Sequence, residues 1–135
     1  MNAVNVVLDT NVLVSALWSA DGNPSHIVHM IPDGKIIPHF CIEILHEYKT
    51  VLSRPSFQFR SESVDELLER FVLFGRNVDS RKSDIPMPDE SDRVFFDTAK
   101  NSGSTLITGN LKHYPNESFI LTPVDFLSKF AIISK

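Results

Sequence analysis

The chain has 135 residues, of which 42% are hydrophobic and 22% charged, and its formal net charge is −4. These values are typical of a globular domain, so we expect residues 1–135 to form one domain and exclude the disordered and fibrous classes. No apolar run approaches the roughly 20 residues that a membrane-spanning helix needs.

The net charge and the number of cysteines indicate which binding partners and which cellular compartment to expect. A net negative charge argues against bulk attraction to nucleic acid, although a nuclease whose site is built from carboxylates is compatible with it. The N-terminus lacks a basic segment ahead of an apolar one, so we expect no signal peptide and a cytoplasmic location. Cys41 is the sole cysteine, which forbids an intrachain disulfide and fits a reducing compartment.

The N-terminal half of the chain alternates apolar strands with amphipathic helices. In chain order, we predict a buried strand at 4–8, helices at 12–17 and 25–31, a strand at 35–38, and helices at 40–52 and 63–74. Pro38 is expected to end the second strand, because proline has no backbone N–H. Gly75 is expected to cap the last of these helices.

The same alternation continues to the C-terminus. We predict a short strand at 77–79, a loop at 82–88, a helix at 90–101, strands at 105–108 and 119–121, and a closing helix at 122–127. Asp89 is expected to cap the helix at 90–101 and Gly103 to end it. Five strands with helices between them predict an α/β fold with a parallel sheet covered on both faces.

Three acidic residues are the candidate site. Asp9 directly follows the first strand, and in open parallel sheets ligands bind outside the carboxyl ends of the strands. Glu47 and Asp92 are distant in sequence, so they join Asp9 only if the fold brings the ends of the first and fourth strands together. Carboxylates suit hard cations such as Mg²⁺ and Mn²⁺, whereas the histidine and cysteine spacings of zinc enzymes are missing. The pattern favours a metal-dependent nuclease.

Each of these acids also has a purely structural interpretation. Asp9 is suited to cap the following helix, and Glu47 lies on a helix face that would be exposed to solvent. Asp92 lies in the first turn of a helix, where the helix dipole stabilises its negative charge. Asp97 is predicted to lie on the surface, turned away from Asp92 around the same helix.

Four segments carry a family resemblance. They are Leu8-Asp9-Thr10-Asn11-Val12, residues 47–52, residues 92–99 and residues 107–110. In this order they resemble the PIN domain, and most closely the toxin components of bacterial and archaeal toxin–antitoxin pairs. The resemblance implies a PIN-like three-layer α/β/α sandwich with a central parallel sheet of about five strands. It also implies divalent-metal-dependent cleavage of RNA, a cognate antitoxin partner and a homodimer.

The resemblance also implies roles for individual residues. Asp9, Glu47 and Asp92 match the catalytic, metal-binding acids, with Mg²⁺ or Mn²⁺ as the cofactor. Asn110 stands at a fourth metal position where the family often has Asp, so the site has one charge fewer and a single resident ion is the expectation. Neighbouring polar residues are expected to orient the acids: Thr10, Asn11 and Thr108. Basic residues are expected to contact the RNA backbone: Lys49, Arg93, Lys112 and His113.

Two other functions remain open at this point. Asn110 is compatible with a PIN-like module that has weakened catalysis and binds RNA or a protein partner. The segment that ends at Asp9 is similar to the nucleophile strand of haloacid-dehalogenase phosphatases. That reaction needs a second Asp where this chain has Asn11, which disfavours it. The leading hypothesis is an endoribonuclease acting on single-stranded or structured RNA.

Overall fold

The sheet has five parallel strands with β1 at its centre. The computed structural model describes residues 3–130, and within them the strand order is β3-β2-β1-β4-β5. The strands are β1 (Val4–Leu8), β2 (Ile36–Phe40), β3 (Arg76–Asn77), β4 (Thr105–Ile107) and β5 (Ile120–Leu121). The predicted α/β architecture is therefore confirmed.

The strand order reverses at β1. The chain leaves β1 for β2 and β3 on one side, and then crosses to β4 and β5 on the other side. In a parallel sheet such a reversal opens a crevice between the carboxyl ends of the two strands concerned, which is the usual place for a ligand. Here those two strands are β1 and β4.

Six α-helices of the described chain flank the sheet. They are α1 (Thr10–Trp18), α2 (Asn23–His29), α3 (Ile42–Leu52), α4 (Ser61–Phe74), α5 (Arg93–Ser102) and α6 (Pro123–Lys129). Apolar side chains recur on one face of α4, where Val64, Leu67 and Phe71 are buried, as expected for a helix that packs on a sheet. None of these helices is long and apolar enough to cross a membrane.

Two predicted boundaries are wrong for identifiable reasons. Pro38 does not end β2, which continues through His39 to Phe40. Proline is tolerated because β3 begins to pair with β2 only at His39, so the N–H that Pro38 lacks has no partner in β3 to lose. Consequently Phe40 belongs to the strand, and α3 begins at Ile42.

The helix predicted at 90–101 has a composite start. Asp89 does cap it, with its carboxylate accepting from the Ser91 N–H at 3.0 Å. The first turn, Glu90–Asp92, is a 3₁₀ turn, and the α-helix follows from Arg93. At its other end Gly103 adopts φ +66°, which glycine does readily, so the predicted stop is confirmed.

Aromatic rings fill the core beside α3. Tyr48 is fully buried, with ring centroids 5.1 Å from Phe71 and 6.1 Å from Phe95. Its hydroxyl donates to the backbone oxygen of Leu8, at the end of β1, at 2.5 Å. This contact ties α3 to the carboxyl end of the central strand.

Gly75 marks a close approach between α4 and β2. Its N–H donates to the Phe71 oxygen at 2.8 Å, as the predicted cap requires, but its φ of −98° is an ordinary value. What requires glycine is space, because a Cβ at this position would lie closer than 3.0 Å to the backbone oxygens of Pro38 and Phe71.

Gly75→Ala is therefore expected to lower the free energy of unfolding by about 2 kcal/mol or more, since backbone must move to relieve the overlap. Gly22→Ala is the matched control: its added Cβ would meet nothing nearer than 3.6 Å, and it should change stability by only a few tenths of a kcal/mol. Urea denaturation measures both. Equal stabilities for the two variants would contradict the packing argument.

Candidate functional site

The ends of β1 and β4 bring Asp9 and Thr108 together. Leu8 pairs with Ile107 in the sheet, and the Asp9 N–H donates to the Ile107 oxygen at 2.9 Å. Asp9 and Thr108 each follow their strand directly, so their side chains emerge side by side in the crevice where the strand order reverses.

Neutral donors hold the Asp9 carboxylate. Oδ1 accepts from the Asn11 N–H at 3.3 Å, so Asp9 also caps α1. Oδ2 accepts from the Thr108 hydroxyl at 2.9 Å and from the Tyr114 hydroxyl at 2.7 Å. Asp9 is only 5% exposed. Its orientation is thus fixed by hydrogen bonds that leave its negative charge uncompensated.

Thr108 and Asn11 connect this carboxylate to the loop after β4. The Thr108 hydroxyl accepts from the Asn11 side-chain amide at 3.4 Å and from the Asn110 N–H at 3.1 Å. The Asn11 side-chain oxygen accepts from the Gly109 N–H at 3.0 Å. These hydrogen bonds therefore join the start of α1 to the loop after β4.

Glu47 reaches the same crevice from α3. Its neighbour Tyr48 anchors the helix on Leu8, and the Thr10 hydroxyl donates to Glu47 Oε2 at 2.6 Å. Partial burial raises the pKa of Glu47, the Thr10 hydrogen bond opposes that shift, and the charge of Asp9 adds to it. The negative charge of Asp9 therefore acts electrostatically on Glu47.

Asp92, at the start of α5, is the least satisfied of the three acids. Its side chain is 15% exposed, and its Oδ2 is buried without a hydrogen-bond partner. The His113 Nδ1 lies 3.2 Å from Oδ2, in a position that does not give a hydrogen bond. Burial, and then the charges of Asp9 and Asp89, raise the pKa of Asp92 to about 6.

The tightest group of possible metal ligands differs from the predicted triad. Among the residues that the structure describes, Asp89, Asp92 and His113 have ligand atoms that all lie within 4.8 Å of one another. Asp9 and Glu47 lie outside this group but act electrostatically on Asp92. Asp92 therefore belongs to both sets, and the sequence predicted neither Asp89 nor His113 as a ligand.

A divalent cation fits this arrangement. Asp92 offers a buried, unpartnered oxygen, and the neighbouring carboxylates oppose its ionisation, so added positive charge would relieve the repulsion. Within residues 3–130, no lysine or arginine forms an ion pair with Asp9, Glu47 or Asp92. Carboxylate oxygens suit Mg²⁺ and Mn²⁺, and Mg²⁺ is usually held by one or two carboxylates together with water and substrate phosphate.

A family model of the PIN domain matches residues 5–112, which is most of the chain and includes Asp9, Glu47, Asp92 and Asn110. The chain belongs to the PIN-domain family. PIN domains are typically metal-dependent nucleases, so the chain has a nuclease-like fold. The matched segment ends just before His113 and Tyr114, the two residues that contact Asp92 and Asp9.

The chain is also similar to the uncharacterized protein MJ1680 of Methanocaldococcus jannaschii. The two are 27% identical over 110 residues, which cover 79% of this chain and 71% of the archaeal protein. No solved structure shows significant similarity to this PIN domain.

Arg93 is a correction to the predicted RNA contacts. It is 9% exposed, and its guanidinium donates to both carboxylate oxygens of Glu90, at 2.6 and 2.7 Å, and to the backbone oxygens of Ser83 and Ile85, at 2.8 and 2.6 Å. Its donors are thus used to fasten the loop before α5 onto the helix. In this PIN domain Arg93 therefore stabilises the packing of the loop against α5.

Asp97 is a second correction. The sequence predicted a surface residue, but Asp97 is 2% exposed and accepts from the Ser83 N–H at 3.0 Å and from the Ser83 hydroxyl at 2.6 Å. The Arg93 Nη1 lies 3.9 Å away. Asp97 faces the loop at 82–88 and anchors it.

Lys49, Asn110 and Lys112 are the remaining predicted site residues. Lys49 donates to Asp65 of α4 at 2.7 Å, with both side chains more than half exposed. The Asn110 side-chain oxygen accepts from the Lys112 N–H at 3.2 Å and so caps the short turn Leu111–His113. This cap occupies one lone pair of the amide that the sequence placed at the fourth metal position.

Tyr114 was missed altogether. It is 4% exposed, and both burial and the Asp9 charge raise its pKa, so its hydroxyl stays protonated and keeps donating to Asp9. No local pattern marks it, because it follows a polar turn and its partner lies 105 positions earlier in the chain.

The raised pKa of Asp92 predicts a pH-dependent cost to folding. The pKa of the Asp92 carboxyl is about 6 in the folded chain against 3.8 in the unfolded chain, so the folded chain binds the Asp92 proton more tightly. Ionisation of Asp92 therefore lowers the free energy of unfolding as the pH rises from about 4 through 6. In metal-free buffer at pH 8, Asp92→Asn should be more stable than the wild type by about 1–2 kcal/mol, and the difference should vanish below pH 4.

Denaturation from pH 3.5 to 8 measures this difference. Asp33→Asn, at an exposed carboxylate before β2, is the control for removing one charge. A constant difference between Asp92→Asn and the wild type over the whole range would show that Asp92 is not perturbed.

Proposed function

We propose that this PIN domain is a divalent-metal-dependent endoribonuclease that hydrolyses phosphodiester bonds in RNA. The observation that supports this most strongly is the buried, unpartnered Oδ2 of Asp92 beside two further carboxylates at the reversal of strand order. We also propose that residues 1–135 form one domain, that the protein acts in the cytoplasm, and that Mg²⁺ or Mn²⁺ is the cofactor.

The side chains of the crevice have distinct parts in the proposed reaction. Asp9, Glu47 and Asp92 would hold the cation, which when bound polarises the scissile phosphate and lowers the pKa of a water molecule for in-line attack. Tyr114 and Thr108 keep Asp9 in one orientation, and Thr10 does the same for Glu47. Fixed orientation matters because a displaced ligand loses much of the affinity for the metal.

The charge of the site supports a single resident ion. Asn110 is neutral, and one of its oxygen lone pairs caps the turn after β4. A second cation would therefore find little unused charge until the phosphate of the substrate adds its own. Lys112 and His113, in the turn that Asn110 caps, are the basic residues that we propose to meet that phosphate.

The physiological role that we propose is the toxin of a toxin–antitoxin pair, with a cognate antitoxin and a homodimeric assembly. This part rests on the resemblance of the segments around Asp9, Glu47, Asp92 and Asn110 to such toxins.

A second candidate function is a PIN-like module that binds RNA or a protein partner with weakened catalysis. The capping role of Asn110 favours it, since the fourth ligand position is partly engaged in local structure. RNA that stays intact during long incubation with pure protein and Mn²⁺, while still binding to it, would support this candidate.

Replacing single acids tests the nuclease. Asp9→Asn and Asp92→Asn should each lower the rate of RNA cleavage by more than about 100-fold, because each removes a charge that holds the cation. Cleavage of a mixed-sequence single-stranded RNA is followed with Mn²⁺ and then with excess chelator, and Asp33→Asn should cleave like the wild type. Cleavage that persists in excess chelator would rule out the proposal.

If His113 is a metal ligand, its replacement should affect the binding of Mn²⁺ and Mg²⁺ differently. An imidazole nitrogen contributes little to binding hard Mg²⁺ but more to Mn²⁺, so His113→Ala should weaken Mn²⁺ binding by about tenfold and leave Mg²⁺ binding nearly unchanged. Calorimetric titration of each metal measures this, with Lys112→Ala as the neighbouring control. Equal losses for both metals would mean that His113 acts only through Asp92.

A further inference from the structure

A second polar cleft lies at the β3 edge of the sheet. Its volume is about 430 Å³, and it is formed by the ends of β2 and β3, the loop that follows them and the C-terminal end of α5. Because α5 starts beside Asp92 and ends at Ser102, this cleft lies about 15 Å, the length of that helix, from the acidic crevice. The two sites are separate.

A buried imidazole lines this cleft and is incompletely paired. His39 is 4% exposed, and its Nδ1 lies 3.1 Å from the Ser104 hydroxyl, which lies 2.7 Å from the Ser102 hydroxyl. Its Nε2 is buried without a hydrogen-bond partner. An unpaired buried donor or acceptor costs about 1–3 kcal/mol, so a group retained in this state is a candidate for binding a ligand.

The hydrogen-bond chain is compatible with a proton on the Nε2 of His39. Burial, and then the charge of Arg76, lower the pKa of His39, so its ring is neutral near pH 7 and carries a single N–H. When Ser102 donates to Ser104 and Ser104 donates to Nδ1, the proton is on Nε2. The unpaired atom is then a donor.

The charges around His39 favour an anion. Arg76 and Arg81 line the cleft, against a single carboxylate, Asp79, whose Oδ2 is 3.9 Å from the Arg81 Nε. Asn101 donates to the Arg81 backbone oxygen at 2.9 Å and holds the loop in place. A locally positive cleft is notable on a chain of net charge −4. Guanidinium groups match the oxygens of phosphate in geometry and charge.

We propose that this cleft binds a phosphate group, with the His39 Nε2–H donating to one phosphate oxygen and the guanidinium groups of Arg76 and Arg81 balancing the charge. The ligand is either free inorganic phosphate or the terminal phosphate of an RNA strand. The second source rests on the proposed function, whereas the phosphate site itself does not.

Nitrogen NMR of the histidine rings during titration with inorganic phosphate tests the site. The His39 Nε2 signal should shift and saturate, and Arg76→Gln and Arg81→Gln should each weaken binding by about tenfold, the effect of losing one charge-assisted hydrogen bond. Arg60→Gln removes the same charge from a similarly exposed arginine before α4 and should leave binding unchanged. These arginines lie on the surface, so their variants should fold.

Two results would overturn the proposal. One is a His39 signal that does not move at any phosphate concentration. The other is a shift that all three variants weaken equally, which would reflect only the overall charge of the protein.

Short oligoribonucleotides with a 5′-phosphate or a 5′-hydroxyl end, added without divalent metal, then identify the source. Displacement of inorganic phosphate by the phosphorylated strand alone would support an RNA end as the ligand. If neither strand displaces it, the RNA source is overturned and free phosphate is the ligand. Because the readout is binding in metal-free buffer, failure here leaves the nuclease proposal intact.

Discussion

Mutual repulsion among Asp9, Glu47 and Asp92 is the constraint around which the site is organised. Burial raises the pKa of Glu47 and of Asp92 and the charge of Asp9 adds to both shifts, while the contacts that fix the three carboxylates come chiefly from neutral hydroxyl and amide groups. Such contacts set orientation without neutralising charge. The negative charge of the site therefore stays uncompensated, and a bound divalent cation would neutralise it.

The scaffold holds this arrangement through contacts at the centre of the sheet. The reversal of strand order at β1 opens the crevice, and the Tyr48 hydroxyl ties α3 to the last residue of that strand. On the other side, Arg93 and Asp97 bind the loop before α5 and so fix the helix that begins beside Asp92. Burial of the aromatic core around Tyr48 offsets the cost of keeping like charges together.

The sequence predicted the α/β fold and most elements because their signals are local. Apolar periodicity, the cap at Asp89 and the glycine stop at Gly103 each depend on a few neighbouring residues. Pro38 was misjudged because its tolerance depends on where β3 begins to pair, which only the assembled sheet determines.

The site was predicted in part for the same reason. Asp9, Glu47 and Asp92 stand in recognisable segments, whereas the contacts of Tyr114 with Asp9 and of His113 with Asp92 join residues far apart in the chain. Arg93 was assigned to RNA because its type and position suggested it, and only the loop packed against it shows that its donors are already used. The bulk charge of the chain likewise conceals the positive cleft around His39.

Anomalous diffraction from crystals grown with Mn²⁺ would locate the ion in the crevice without reference to activity. We expect one ordered ion bound to Asp92, with its other protein ligands drawn from Asp9, Glu47, Asp89 and His113. An ion bound elsewhere, with Asp92 left unliganded, would contradict the claim that the crevice is a metal centre.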